Sequence, residues 1–377
     1  MTAPLVERFA AAERSQIRTI AEAAAELDGI ARLDIGQPDL PVPTAVVEAT
    51  ARAAVNGVTG YTPTAGTPEL RARIADRMSA TLQETFVTTG GTNAMQLALT
   101  ATARPRDTVL VPALHWPNLR AMGRALDVQL APYSLDASLG ADPEGLLAEA
   151  RRLRPAAVIL NSPGNPTGAV IARADLERII AGLQQLGCWL VSDEVYEDLA
   201  YDADHVPARR VATTNVISVH SFSKSYSMTG YRLGWVCAEP AVVASLTRIQ
   251  EGVVTCSSSL AQSAGIAALE LGDPFLAERR MEYRRRRDLA DSLLAASGLS
   301  WATPRGAFYG LVELRAGDCA SGLEFATRLM RDHRVAVAPG SAFGDTVAGL
   351  VRVSLAADDD TLRQGLASLA AADEETQ

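Results

Sequence analysis

Short apolar runs alternate with stretches of helical period through the middle of the chain. Runs of strand length lie at 85–89, 108–112, 156–161, 188–192, 216–220 and 233–238. Between them, 93–103, 143–153 and 174–186 repeat apolar residues at the spacing of one helix face. This order predicts βαβ units and an α/β fold with a mostly parallel central sheet flanked by helices. Ala157-Val158-Ile159-Leu160 is apolar without a break, the mark of a strand covered on both faces. After about residue 270 the texture changes. A charged helix over 274–297 leads into strand candidates at 306–314, 335–338 and 350–355. The expected division is a large domain over 44–270, and a smaller α/β domain made of 271–377 with the N-terminal arm, 1–43.

Composition narrows the function. The chain has 377 residues and a net charge of −9, which disfavours nucleic acid and anionic membrane surfaces as partners. The uncharged stretch 252–269 is broken by Thr255, Ser257, Ser258, Ser259, Gln262 and Ser263, so it does not read as a membrane span. Met1–Ser15 carries Glu7, Arg8, Glu13 and Arg14 and lacks the apolar core of a signal peptide. Cys188, Cys237, Cys256 and Cys319 form no CxxC pair and read as reduced thiols in a cytoplasmic protein, with no metal site implied. The run Arg284–Arg287 has Glu278, Glu282, Asp288 and Asp291 nearby and is expected to be a solvated helix surface.

One lysine, Lys224, stands against 34 arginines. It follows the apolar run at 216–220, in Ser221-Phe222-Ser223-Lys224-Ser225, so it is placed at the C-terminal end of a strand. An amine condenses with an aldehyde to a Schiff base; a guanidinium does not. A surface lysine left in a lysine-poor chain is the competing reading, and neighbouring segments decide between the two. Thr89-Gly90-Gly91-Thr92-Asn93 joins a strand to a helix, where free N–H groups attract an anion. Ser221, Ser223 and Arg232 offer further donors to the same kind of group. Asn165 lies between Pro163 and Pro166, which stiffen its loop, and Asp193 ends another strand with Tyr196 three residues on.

These segments resemble the fold-type I pyridoxal 5′-phosphate (PLP) enzymes, specifically the class I/II aminotransferase family that includes aspartate and aromatic aminotransferases. The likeness runs from Ile35-Gly36-Gln37-Pro38-Asp39 to Val351-Arg352-Val353-Ser354. Its most specific marks are Asn161-Ser162-Pro163-Gly164-Asn165-Pro166-Thr167-Gly168, Asp193-Glu194-Val195-Tyr196 and Ser221-Phe222-Ser223-Lys224. The resemblance implies that Lys224 carries PLP in Schiff-base linkage and then moves the substrate Cα proton. Asp193 would pair with the pyridine nitrogen, Asn165 and Tyr196 with the 3′-oxygen. Gly91, Thr92, Ser221, Ser223 and Arg232 would bind the phosphate, joined by Tyr61 from the partner of a homodimer with shared active sites. Trp116 or His115 would stack on the ring. Arg352 would grip the substrate carboxylate, and Gly36 with the loop 37–43 would close over the site. The reaction implied is transfer of the amino group of an α-amino acid to a 2-oxo acid. Amino-acid elimination, cyclisation or oxidation on the same scaffold is the alternative. A small, uncharged segment at 252–259 and Thr92 at the cup favour a neutral or basic amino acid. A nicotinamide dehydrogenase would need G-x-G-x-x-G after a strand, which Gly90-Gly91 does not supply.

Overall fold

The computed structural model describes residues 14–201, 205–315, 322–344 and 349–375. Residues 1–13, with most of the segment weighed as a leader, and Cys319 lie outside the described residues. Among the described residues, twelve strands build two sheets. In chain order the larger sheet holds β2 (Thr85–Thr88), β3 (Thr108–Pro112), β4 (Gln129–Tyr133), β5 (Ala157–Asn161), β6 (Trp189–Asp193), β7 (Val216–Ser221) and β8 (Gly234–Cys237). Their spatial order is β2-β8-β7-β6-β5-β3-β4. The sheet is parallel except for β8, which runs against both of its neighbours.

Both faces of this sheet are covered, which explains the unbroken apolar runs. Val158, Leu160 and Leu190 pack on one side against helices Pro143–Leu153 and Arg173–Leu186. Ala157, Ile159, Val191 and Ile217 pack on the other against helices Gly91–Thr102 and Pro240–Val253. Truncating one such buried Leu or Ile to Ala costs about 2–5 kcal/mol. Register does the functional work. Asn161 lies opposite Asp193, Asp193 opposite Val219, and Ser221 opposite Gly234, so the ends of β5, β6 and β7 deliver polar groups to one edge.

The second sheet orders β1 (Ala31–Leu33), β11 (Val335–Pro339), β12 (Leu350–Ser354), β10 (Tyr309–Glu313) and β9 (Ser300–Trp301). The N-terminal arm enters it directly, because β1 pairs in parallel with β11. The helix Gly272–Ala296 and the C-terminal helix Asp359–Glu374 pack against this part through Tyr283, Ala290, Leu366 and Leu369.

Several expectations are corrected. β4 falls in no apolar run: its Gln129 and Pro132 are exposed and Leu130 and Ala131 only partly covered, as befits an edge strand. The strand expected over 306–314 shrinks to Tyr309–Glu313, because Gly306 bridges to Ala200 and Ala307 adopts a left-handed φ of 58°. The helix expected from residue 93 starts at Gly91, since Gly90 turns the chain with φ 88°. The arginine run is not a solvated surface throughout. Arg284 and Arg285 are exposed, but Arg286 and Arg287 are buried. Arg286 pairs with Asp39 at 2.7 Å and Glu282 at 2.8 Å, and Arg287 donates to the Pro304 carbonyl at 2.8 Å. Buried guanidinium groups need such partners, and two of these tie the long helix to the arm and to the segment before β10.

Candidate active site

Lys224 lies three residues beyond β7. Its Nζ donates to the Gly36 carbonyl and sits 5.6 Å from the centre of the Tyr196 ring and 5.7 Å from that of Phe308. Burial pulls the ammonium from 10.5 down to about 8. The positive charges of Arg352 and Arg232 push the same way, and Asp193 opposes them. A lysine that deprotonates near neutrality can act as nucleophile and base.

Asp193, one strand over, is pushed up to about 7, chiefly by burial. The Val195 N–H, 3.5 Å from its Oδ1, pulls the other way, Glu194 raises it further, and His220 and Lys224 lower it. A carboxyl in that condition gains most from a cation or a protonated ring nitrogen set beside it. Behind it lies a network the sequence did not disclose. The His220 ring stacks on Trp235 at 5.0 Å, with Nδ1 3.3 Å from Glu197 and Nε2 3.6 Å from Glu194. Burial works against the imidazolium, but Glu197 and Glu194 raise the His220 pKa on balance. Arg77 completes the network through Glu197, at 3.3 Å, and Asp198.

The anion cup is made of glycines and donors in close approach. A Cβ on Gly90 would lie 2.8 Å from Arg232 Nη2. One on Gly91 would lie 2.9 Å from Val195 Cγ1 and 3.5 Å from Ser221 Cβ, and one on Gly234 2.9 Å from the Gly90 carbonyl carbon. Only glycine leaves this space, so the start of helix Gly91–Thr102, Ser221 and Arg232 converge. Arg232 has a left-handed φ of 53° and is braced by Nη1 donating to Thr229 O at 2.8 Å; Ser223 N donates to Ser221 Oγ at 3.1 Å. Helix N–H groups, hydroxyls and a guanidinium are the donor set a phosphate requires. Thr92, on the first turn of the same helix, is exposed.

On the opposite wall, Arg352 Nη1 donates to Asn165 Oδ1 at 3.1 Å and Nη2 to the Asp34 carbonyl. Its guanidinium lies 4.2 Å from the Tyr309 ring centre and 5.0 Å from that of Phe343. Arg352 Nε is buried with no hydrogen-bond partner among the described residues, an unmet donor of the kind a carboxylate satisfies. Asn165 N donates to Asn161 Oδ1 at 2.7 Å, and Asn161 Nδ2 to Asp193 O at 3.1 Å. One hydrogen-bonded path therefore joins the β6 end to Arg352. Tyr196 and Tyr309 hydroxyls lie 3.0 Å apart, and Gly36 packs so tightly on Tyr309 that a Cβ would fall 1.9 Å from its hydroxyl.

The structure thus gathers Gly36, Gly91, Asn165, Asp193, Tyr196, Ser221, Ser223, Lys224, Arg232 and Arg352 around one region. Trp116 follows β3 and is half-buried against the sheet, while the His115 ring nitrogen Nδ1 lies 2.9 Å from the Pro112 carbonyl. Tyr61 does not join the others: it is 92% exposed. The sequence pattern does not point to Tyr309, Asp34 or His220, and Asn161 stands in it only as the first residue of the 161–168 motif. Tyr309 lay within a strand candidate, where an aromatic reads as core.

An amine primed for Schiff-base chemistry beside a phosphate cup places the chain among the enzymes that act on amino acids through PLP, on the fold-type I scaffold. Comparison with known proteins makes this specific. The family model for aminotransferase class I and II matches residues 28–369. The chain is 35% identical over 354 residues to the aspartate/prephenate aminotransferase of Thermus thermophilus, covering 89% of this chain and 88% of that protein. It is 31% identical to a probable N-acetyl-LL-diaminopimelate aminotransferase of Bacillus subtilis, covering 94% and 92%. The solved aspartate aminotransferase from Thermus thermophilus with maleate superposes with a TM-score of 0.92 at 33% identity, over 98% of this chain and all of that one. The chain belongs to the class I and II aminotransferase family. It is a PLP-dependent enzyme that passes the amino group of an α-amino acid to a 2-oxo acid; elimination, cyclisation and oxidation are not favoured.

Proposed function

We propose that the gathered residues divide the reaction as follows, the carrying observation being the half-buried Lys224 amine beside the Tyr196 ring, in the field of Asp193 and the Arg352 guanidinium. PLP, when bound, supplies an aldehyde for the amino group and a ring that accepts electrons from the Cα–H bond. Gly91, Thr92, Ser221, Ser223 and Arg232 would hold its phosphate, Asp193 would keep a proton at the ring nitrogen, and Asn165 with Tyr196 would hold its 3′-oxygen. Trp116 covers the ring face. Lys224 Nζ would hold the cofactor through its aldehyde and, as the free amine, would take the proton from the substrate Cα. Arg352 holds the α-carboxylate, so that the Cα–H bond faces Lys224. Gly36 and loop 37–43 close over the site and exclude water.

The working unit we infer is a homodimer in the cytoplasm, with residues 44–270 as the cofactor domain and the remainder as the small domain and arm. Its support is Tyr61: an aromatic ring standing free of its own chain suits a role at the partner's phosphate. Among the described residues no helix is long and apolar enough to cross a membrane. The relatives' names carry aspartate and prephenate, against the neutral or basic donor expected from the uncharged segment 252–259. The test is a screen of amino acids against the loaded enzyme, followed by the absorbance change to the amino form of the cofactor. Conversion with aspartate or glutamate, but not with neutral donors, settles the side chain for the relatives. No conversion with any amino acid, with ammonia released instead, overturns transamination.

A further inference from the structure

Gln262 is fully buried at the second turn of helix Ser259–Glu270, yet every polar atom of its amide is used. Its Oε1 accepts from Thr67 N at 2.7 Å. Its Nε2 donates to Thr62 Oγ1 at 2.8 Å and to the Ser257 carbonyl at 2.9 Å. The first two partners belong to the loop that carries Tyr61, and the third to the segment just before the helix. The same two segments meet again where Ser259 Oγ donates to Val58 O at 2.8 Å. Thr62 is the residue next to Tyr61, so the amide grips the loop immediately behind a ring that its own chain leaves 92% exposed. A side chain aimed at another molecule cannot be fixed by what it touches at home. It must be aimed by its backbone, and here one buried amide holds the loop on the C-terminal side of Tyr61, at Thr62 Oγ1 and Thr67 N, while Ser259 holds the N-terminal side at Val58 O.

We propose that Gln262 is a positioning residue that aims Tyr61 into the active site of the partner subunit. The inference rests on the shared-site homodimer proposed above. Gln262 of one chain then governs cofactor affinity in the other chain's site, not in its own. This transfer across the interface separates aiming from a general structural role, which would weaken the chain that carries the change.

Hybrid dimers test it. Two differently tagged chains are co-expressed, one of them Lys224→Ala, so that each hybrid keeps a single lysine site. Borohydride fixes PLP at that site, and the fixed amount against free PLP gives its affinity. With Gln262→Met on the Lys224→Ala chain, the faulty loop faces the working lysine, and the PLP dissociation constant is expected to rise about tenfold, the scale of one lost hydrogen bond to a charged group. With Gln262→Met on the lysine-bearing chain, it should stay within about twofold of the parent hybrid, a change below ~0.4 kcal/mol. Thr62→Val, a milder change, should show the same asymmetry if the Met variant does not fold. Equal effects in both placements overturn the proposal. Tyr61→Phe hybrids run alongside: if Tyr61→Phe depends on placement and Gln262→Met does not, only the role of Gln262 falls. If Tyr61→Phe shows no placement dependence, the shared-site dimer falls and takes this inference with it.

Discussion

Arg352 is held by Asn165, a neutral acceptor at 3.1 Å, and among the described residues no carboxylate neutralises it at bonding distance. Asp34 lends Arg352 only its carbonyl, while its carboxylate turns to Arg32, bonding Nε at 2.8 Å and Nη2 at 3.0 Å. The guanidinium therefore keeps its charge unspent in a buried wall, with burial pressing its pKa down. In the proposed reaction a substrate carboxylate would supply the missing counter-ion. Arg352→Lys keeps the charge but loses the planar fork, and should raise the KM for the amino acid about a hundredfold with a smaller change in kcat. Asn165→Asp supplies an internal counter-ion and should also raise KM. Steady-state kinetics with one amino donor decide, and an unchanged KM in both variants removes Arg352 from the substrate.

The single lysine makes its ionisation directly measurable. In cofactor-free enzyme, acylation of residue 224, followed by peptide mass spectrometry, should rise through a midpoint near pH 8 and not near the ordinary 10.5. Arg352→Met removes a positive neighbour and should move that midpoint upward. The linkage sign follows. The unfolded chain keeps this proton up to about 10.4 and the folded chain only to about 8, so the unfolded state binds more protons between those values. Lys224 then makes stability rise with pH across that window, an increment that Lys224→Met should abolish in denaturant titrations. A labelling midpoint above pH 10 would contradict the buried position.

What the sequence disclosed and what it hid follow different physics. Lys224, Asp193 and Asn165 could be read because each ends or follows a continuous apolar strand, and strand ends on one edge of a parallel sheet must meet. The glycine pair could be read because it joined a strand to a helix. Tyr309, Asp34 and His220 could not. They reach the site, or the network behind it, through pairings between distant segments: β1 with β11, β10 with β12, and β7 with β8. Local pattern carries no trace of such partners. Arg286 and Arg287 misled for the same reason, since the acids and carbonyls that bury them lie on the arm, on the helix's own earlier turn and before β10.

Gly36 and Tyr309 form a steric lock. A methyl group at residue 36 would overlap the Tyr309 hydroxyl at 1.9 Å, and that hydroxyl already bonds Tyr196. Gly36→Ala must therefore push either the arm or Tyr309 away, and overpacking of this kind costs about 1–3 kcal/mol. We expect a matching loss of stability and a fall in kcat/KM, because the same residue's carbonyl receives Lys224. Tyr309→Phe should recover part of the loss in the Gly36→Ala background while being mildly damaging alone. A double-mutant cycle measures this coupling, and strict additivity would show that the two residues do not press on each other.

The role proposed for Asp193 separates holding the cofactor from using it. The proposed phosphate donors sit on the Gly91 helix, Ser221 and Arg232, so Asp193→Ala removes none of them. PLP affinity should fall by no more than about tenfold, the scale of one charge-assisted contact. The half-reaction with an amino acid should slow on the order of 10³-fold, the scale of removing one preorganised electrostatic group. Asp193→Glu keeps the charge and should recover some of the rate. Stopped-flow absorbance resolves the two effects, because cofactor retention and its conversion give separate signals. A variant that binds PLP and converts it at near-normal rate would free the ring nitrogen from Asp193. The buried carboxyl would then belong with Glu194, Glu197 and His220, as part of the charge network behind the sheet edge.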